Sequence, residues 1–199
     1  SGSNRFDLLA YGDIDVLIRT TTWTTSRDSD LNADFAGINF YDGQGIMIRS
    51  DFITAEEAEN SIYALDGANI CVGIGTTSEG NLQDWSSSSG VSFTPVYVGS
   101  SSEADSEFIN GGCDAISGDS SFLVARKWQM DNDGSLGDVD IWIGQELLSK
   151  EPLAAVTRDY DSEWNEVVSW VWYAMITAEE MGISSTNYGS ADSSNPAVQ

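Results

Sequence analysis

The chain has 199 residues, enough to bury a sizeable core, and its 41% of apolar residues, with seven each of Trp, Tyr and Phe, is the composition of a folded protein. With 32 acidic against 8 basic residues the formal net charge is -24, which repels nucleic acid and anionic membrane surfaces and argues against both as partners. The acids are scattered along the chain and Lys127 and Lys150 are its only lysines. That is the surface expected of a protein kept soluble in concentrated salt, the alternative being an acidic extracytoplasmic protein. No apolar run is long enough to span a bilayer, no signal peptide is read, and Ser1-Gly2-Ser3 has the look of a cloning scar, so the natural start is expected upstream.

Along the chain, Asn4 to Ala10 reads as the end of a helix stopped by Gly12, and Ile14 to Ile18 as a short buried strand of the parallel-sheet type. The run Thr20-Thr21-Thr22-Trp23-Thr24-Thr25-Ser26-Arg27 is then expected as a loop. Ala36 to Phe40 and Gly45 to Arg49 are expected as strands around a turn at Tyr41-Asp42-Gly43, and Thr54-Ala55-Glu56-Glu57 opens a helical turn with acids where the macrodipole favours them. From Asn69 the pattern alternates: strand Ile70 to Ile74, helix Glu79 to Ser87, strand Phe93 to Val98, helix Ser102 to Asn110, strand Cys113 to Ser117, helix Asp119 to Met130, strand Asp138 to Ile143. Such alternation predicts a parallel sheet with right-handed crossovers.

Asp131-Asn132-Asp133-Gly134 begins like a calcium loop but has no acid where the closing Glu is required, and is read as an acidic turn. Leu153 to Thr157 is strand-like. Ser162 to Met181 is the strongest helix, and its stripe of Trp164, Val167, Val168, Val171, Trp172, Met175 and Ile176 is expected to be core. Residues 188–199 are expected to be a loose tail. Residues 44–150 therefore read as one self-contained lobe, with 4–43 and 151–187 as parts of a second, and the two connecting strands as a hinge.

Three features carry chemistry. Arg27 offers a fork of donors that matches a carboxylate, with the Thr22 and Thr24 hydroxyls nearby; the plainer reading is an ion pair with Asp28 or Asp30. Thr76 and Thr77 lie where a helix begins, so its backbone N–H groups and positive dipole end suit an anion, or else Thr76 is an ordinary cap. Asp119 heads the next helix, as a cap or as a carboxylate placed for an ammonium group. One Arg and one helix tip for a carboxylate, plus one Asp for an amine, describe a site for a free α-amino acid. Cys71 and Cys113 fall in two separate predicted strands; with no histidine and no CxxC, a disulfide is expected rather than a metal site, two buried thiols being the alternative. Without His or a free catalytic Cys, and without a closely spaced carboxylate pair, no catalysis is expected.

Asp15-Val16-Leu17 with Thr20 to Asp28, Phe40-Tyr41-Asp42-Gly43-Gln44-Gly45, Leu65-Asp66-Gly67-Ala68, Cys71-Val72 with Gly75-Thr76-Thr77, Gly112-Cys113-Asp114-Ala115, Ser149-Lys150-Glu151-Pro152-Leu153, Trp172-Tyr173-Ala174-Met175-Ile176 and Ala178 to Ile183 resemble the periplasmic general L-amino-acid-binding proteins of ABC importers, over residues 5–187. The resemblance implies an α/β, periplasmic-binding-protein-like fold, with one complete lobe around a mostly parallel sheet and an incomplete first lobe. It implies that Arg27 clamps the ligand's α-carboxylate with Thr22 and Thr77, that Asp119 takes the α-ammonium, that Thr20 and Trp23 line the pocket, and that Cys71 bridges to Cys113. It further implies a periplasmic or extracellular location, an ABC transporter permease as partner and no cofactor. Family members begin with a further strand, helix and strand ahead of the segment matching Asn4; their absence leaves an unpaired sheet edge, so a homodimer by edge pairing or segment exchange is the alternative to amino-acid import.

Overall fold

The computed structural model describes residues 4–192, 194 and 195. Ser1-Gly2-Ser3 and most of the expected tail beyond Asp192 lie outside the described residues. The chain folds as two compact units, one made of Phe40–Leu153 with the residues up to Asp7, the other of Leu8–Asn39 with the residues from Ala154 onward.

The first unit is built on a mixed sheet. Strands β2 (Asn69–Gly73), β3 (Thr94–Val98) and β4 (Ala115–Asp119) are parallel, with β2 in the middle. The long strand β1 (Ala33–Arg49) runs antiparallel to β4 and to the short β5 (Ile141–Ile143), giving the order β3-β2-β4-β1-β5, and β6 (Ser149–Arg158) pairs with β1 off this path. The parallel part follows from the strand and helix alternation; the antiparallel β1 enters from the other unit. Helices α3 (Thr77–Ser89), α4 (Ser101–Ile109) and α5 (Ser120–Asp133) connect these strands.

The pleat sorts the core into two layers. On one face Ile46, Ile48, Ile70, Val72 and Ala115 pack with Leu82 and Trp85 of α3; on the other Met47, Cys71 and Ile116 pack with Ala104 and Phe108 of α4 and Leu123 and Met130 of α5. Neighbouring residues therefore point to opposite faces with period two, and both faces are covered, which is why these strands read as near-continuous apolar runs. Arg49 bonds bidentately to Asp51 and also donates to the carbonyls of Phe108 and Ile109, placing a cation at the C-terminal end of α4. That guanidinium holds the Asp51 carboxyl below its ordinary range.

Cys71 and Cys113 form a disulfide, with Cα atoms 5.7 Å apart and both residues buried. Cys71 is in β2, whereas Cys113 precedes β4 in the turn after Gly112 and is not itself in a strand.

Several local expectations are corrected. Ile14 to Ile18 is not a strand: only Leu17 is buried, in a single antiparallel bridge to Val156, and Ile18 is exposed. The Tyr41-Asp42-Gly43 turn does not exist, because β1 runs through it without a break. Gly43 serves close approach instead, since a Cβ there would lie 2.7 Å from Leu147 Cδ1 and 3.0 Å from the Ser149 carbonyl oxygen. The end of the Thr-rich loop is helical, as α2 (Thr25–Asp30). Helix α1 (Arg5–Tyr11) stops at Gly12, whose φ of 82° needs no Cβ, as expected.

The largest correction concerns α6 (Ser162–Glu180), which has no buried residue along its length. Its Trp172 and Trp164 indoles donate to the carbonyls of Ile38 and Asp15, and Asn165 bonds to Thr157 Oγ1 and the Asp34 carbonyl. These contacts seat one side of α6 over β1 and β6. Trp164, Val167, Val171 and Met175, four of the seven residues of the predicted core stripe, are exposed, as is Trp170. Periodicity located the helix, but the side turned toward the strands carries Asn165, Val168, Ser169, Trp172 and Ile176 at intermediate exposure, so the apolar stripe only partly coincides with it.

Candidate functional site

In the second unit, Thr24 caps α2 by accepting the Arg27 N–H at 3.3 Å, and the cap fixes Arg27 one turn into the helix. The Arg27 side chain is turned inward: the residue is 7% exposed and its Nη1 donates to the Thr22 carbonyl at 2.9 Å. The plain picture of an Arg reaching through solvent to Asp28 or Asp30 does not fit that burial. Thr21 and Thr22 are buried, and Ala154 of β6 donates to the Thr21 carbonyl at 3.0 Å, anchoring the segment. Trp23 stacks on Phe35 with ring centroids 5.2 Å apart and planes 7° from parallel, while Thr20 is exposed. Nearby in sequence, Asp34 has its carboxyl pushed above its ordinary range, by burial first and then by the Asp28 and Asp159 charges.

In the first unit, Thr76 is the cap of α3. Its Oγ1 accepts the Glu79 N–H at 3.3 Å and donates to the Gly73 carbonyl at 2.7 Å, while the Glu79 carboxylate accepts the Gly75 N–H at 3.0 Å. This reciprocal capping box uses the Thr76 hydroxyl, so that hydroxyl is not available as a donor to a ligand. Thr77 follows as the first helical residue, and its hydroxyl donates to Glu151 Oε2 at 3.2 Å. Asp119 ends β4 opposite Gln44 of β1 and stands at the cap position of α5, yet its side chain does not cap that helix.

Topology brings Thr76, Thr77 and Asp119 to one edge of the sheet. β2 and β4 are adjacent and parallel, and their C-terminal ends open into α3 and α5, which pack on opposite faces. Where successive helices leave to opposite sides, a crevice forms outside the strand ends, the usual ligand position in open α/β sheets. It holds a helix N-terminus suited to an anion and a carboxylate suited to a cation. Arg27, Thr22, Trp23 and Thr20 gather in the other unit.

Residue-by-residue reading passed over the polar groups beneath α3. Gln44 and Glu151 are fully buried, and with Ser78, Asn81, Ser117 and Ser149 they form a hydrogen-bonded cluster. The available signal was an acid in a strand-like apolar segment ahead of Pro152, since a buried acid needs partners.

No family model matches the chain. Among curated proteins, the glutamate/glutamine/aspartate/asparagine-binding protein BztA of Rhodobacter capsulatus is 39% identical over 201 residues, covering 100% of this chain and 56% of BztA. The general L-amino acid-binding periplasmic protein AapJ of Rhizobium johnstonii is 38% identical over 200 residues, with 100% and 56% covered. Along its whole length this chain is similar to proteins named as amino-acid-binding proteins of this kind. It spans about half the length of the curated relatives it matches.

Solved structures agree. A periplasmic binding protein of an ABC transporter from Brucella ovis, with glutathione bound, matches at a TM-score of 0.86 and 41% identity over 97% of this chain and 58% of that one. An ancestral arginine-binding protein bound to arginine matches at 0.73 and 26%, over 89% of this chain and 72% of that one. The relatives are binding proteins and not enzymes, and the periplasmic naming of AapJ and the Brucella protein accords with the oxidising setting that the Cys71–Cys113 bridge requires.

Proposed function

We propose that the protein captures free L-amino acids outside the cytoplasm and delivers them to an ABC transporter permease. The observation that carries this is the likeness to BztA and to the Brucella protein along the full chain. The ligands those relatives' names give share one chemistry: glutamate, glutamine, aspartate, asparagine, arginine and the γ-glutamyl end of glutathione each carry an α-ammonium and an α-carboxylate on the same carbon. Arg27, helped by Thr22, takes the carboxylate together with the backbone at the start of α3, at Thr76 and Thr77. Asp119 takes the ammonium, and Thr20 and Trp23 line the side-chain space. Closure follows from a ligand that binds the closed state better than the open one.

A charged hydrogen bond of this kind is worth about 1.5–3 kcal/mol, so Arg27→Ala should weaken binding roughly tenfold or more. Calorimetry with L-glutamate, L-glutamine, L-aspartate, L-asparagine and L-arginine tests this. Unchanged affinity in the variant rejects the assignment of Arg27.

A second reading, a homodimer or segment-exchanged oligomer without amino-acid binding, is supported by the exposed Trp170, Val171 and Met175 of α6. Light scattering with and without the same amino acids separates the two. A ligand-free dimer that binds none of them favours the second reading.

A further inference from the structure

The cluster beneath the start of α3 is built from both strands that pass between the units. Gln44 lies on β1, four residues beyond the start of the first unit at Phe40; Glu151 lies on β6, two residues before its end at Leu153. Gln44 Nε2 donates to the Ser78 carbonyl and to Ser117 Oγ, both at 2.9 Å, and its Oε1 accepts from Asn81 Nδ2 at 2.9 Å. Glu151 Oε1 accepts from Asn81 Nδ2 at 3.0 Å and from Ser149 Oγ, and its Oε2 accepts from Thr77 Oγ1 at 3.2 Å. Asn81 thus bridges the two buried side chains, and every polar atom of Gln44 is used.

These bonds end on the first turn of α3, at Thr77, Ser78 and Asn81. A carboxylate there is favoured by the helix dipole, and a satisfied polar network in a dry site has few alternative arrangements, so it fixes the groups bonded to it. A hydroxyl has a single proton, and the Thr77 proton points at Glu151. The Thr77 side chain is thereby tied to Glu151, and the start of α3 is held at an angle set by Glu151 and Gln44.

Resting on the amino-acid-capture reading, we propose that Glu151 and Gln44 are positioning residues that aim the start of α3 at the ligand's α-carboxylate from beneath, with Thr77 and Asn81 as the linking groups. The near-isosteric Glu151→Gln replaces one acceptor by a donor that must face the Asn81 amide or a hydroxyl. Thr77→Val removes the hydroxyl at constant volume, and Thr77→Ser keeps it.

Two readouts on the full chain test this. The first needs no ligand: amide hydrogen exchange, read residue by residue, should speed up at least tenfold over 79–82, where the helix and its cap first hold the amides, in Glu151→Gln and Thr77→Val, stay near wild type in Thr77→Ser, and leave the exchange of β2 and β4 unchanged. Exchange at the start of α3 that does not respond to Glu151→Gln, or that speeds up equally across the whole unit, overturns the proposal. The second is calorimetric affinity for L-glutamate and L-glutamine in Thr77→Val, Glu151→Gln and the double variant. The two losses should be strongly non-additive, the double variant binding about as weakly as the worse single one, because both substitutions break one link. Losses that multiply overturn the proposal. If the wild-type protein binds neither probe, the capture reading fails by itself, and the exchange result still decides whether the cluster sets the helix tip.

Discussion

The Cys71–Cys113 bridge closes a loop between residues 42 apart, and it joins β2 to the turn ahead of β4 inside the first unit. The chain-entropy treatment of a loop this long assigns about 4 kcal/mol to its closure, through loss of freedom in the unfolded chain. For a protein of this size roughly 2–4 °C of Tm accompanies each kcal/mol, so reduction should lower the transition of the first unit by roughly 8–16 °C. Reducing the wild-type protein is a better perturbation than replacing the cysteines. Both are buried beside Met47, Ile116 and Phe108, and truncation would add a packing loss to the loop effect. The assay is thermal unfolding followed by tryptophan fluorescence, with and without reductant, the redox state being verified by intact mass. Trp85 and Trp142 sit in the core of the affected unit and report on it. A fully reduced protein whose transition moves by less than about 2 °C would refute the reasoning, because the loop is closed in the native state whether or not the sulfurs are joined.

Two further outcomes follow from charge. With a net charge of -24, self-repulsion should be relieved by screening, so Tm should rise steadily from low salt to molar NaCl; a flat or falling dependence removes the salt-adapted reading. Asp34 has its carboxyl raised by burial and by Asp28 and Asp159, so the native state holds its proton more tightly than the unfolded chain does. Its contribution is fully present below the unfolded value of about 3.9 and is lost as pH rises through the raised native value. Asp34→Asn should therefore be more stable than wild type at pH 7, with the advantage vanishing below about pH 4. Denaturant titrations at several pH values check it, and a difference independent of pH would count against burial and Asp28/Asp159 repulsion as the cause.

Much of the first unit was legible because its signals are local. The strand-like runs at 70–74 and 113–117 and the cap expected at Thr76 each state a boundary within a few residues. The same locality misled at Tyr41-Asp42-Gly43, where a turn signature in β1 answers instead to the close passage of Leu147 and Ser149. Ile14 to Ile18 carries strand composition but finds one bridge partner, Val156, and no sheet. The residues of the candidate site were nameable as chemical types in advance. The Gln44–Glu151 cluster was not, because Gln44 and Glu151 lie 107 residues apart and meet on α3 partners 34 to 74 residues from them, and nothing local marks a buried Glu as satisfied.

Order along the chain, capping and alternation were thus determined by residues acting on neighbours within a turn or a pleat. Tertiary structure alone decided which face of α6 is left in water, why Gly43 must lack a side chain, and where Glu151 finds its donors. Each of these depends on how much surface, or which hydrogen-bonding group, a distant segment brings to the same place, and no short-range pattern encodes that.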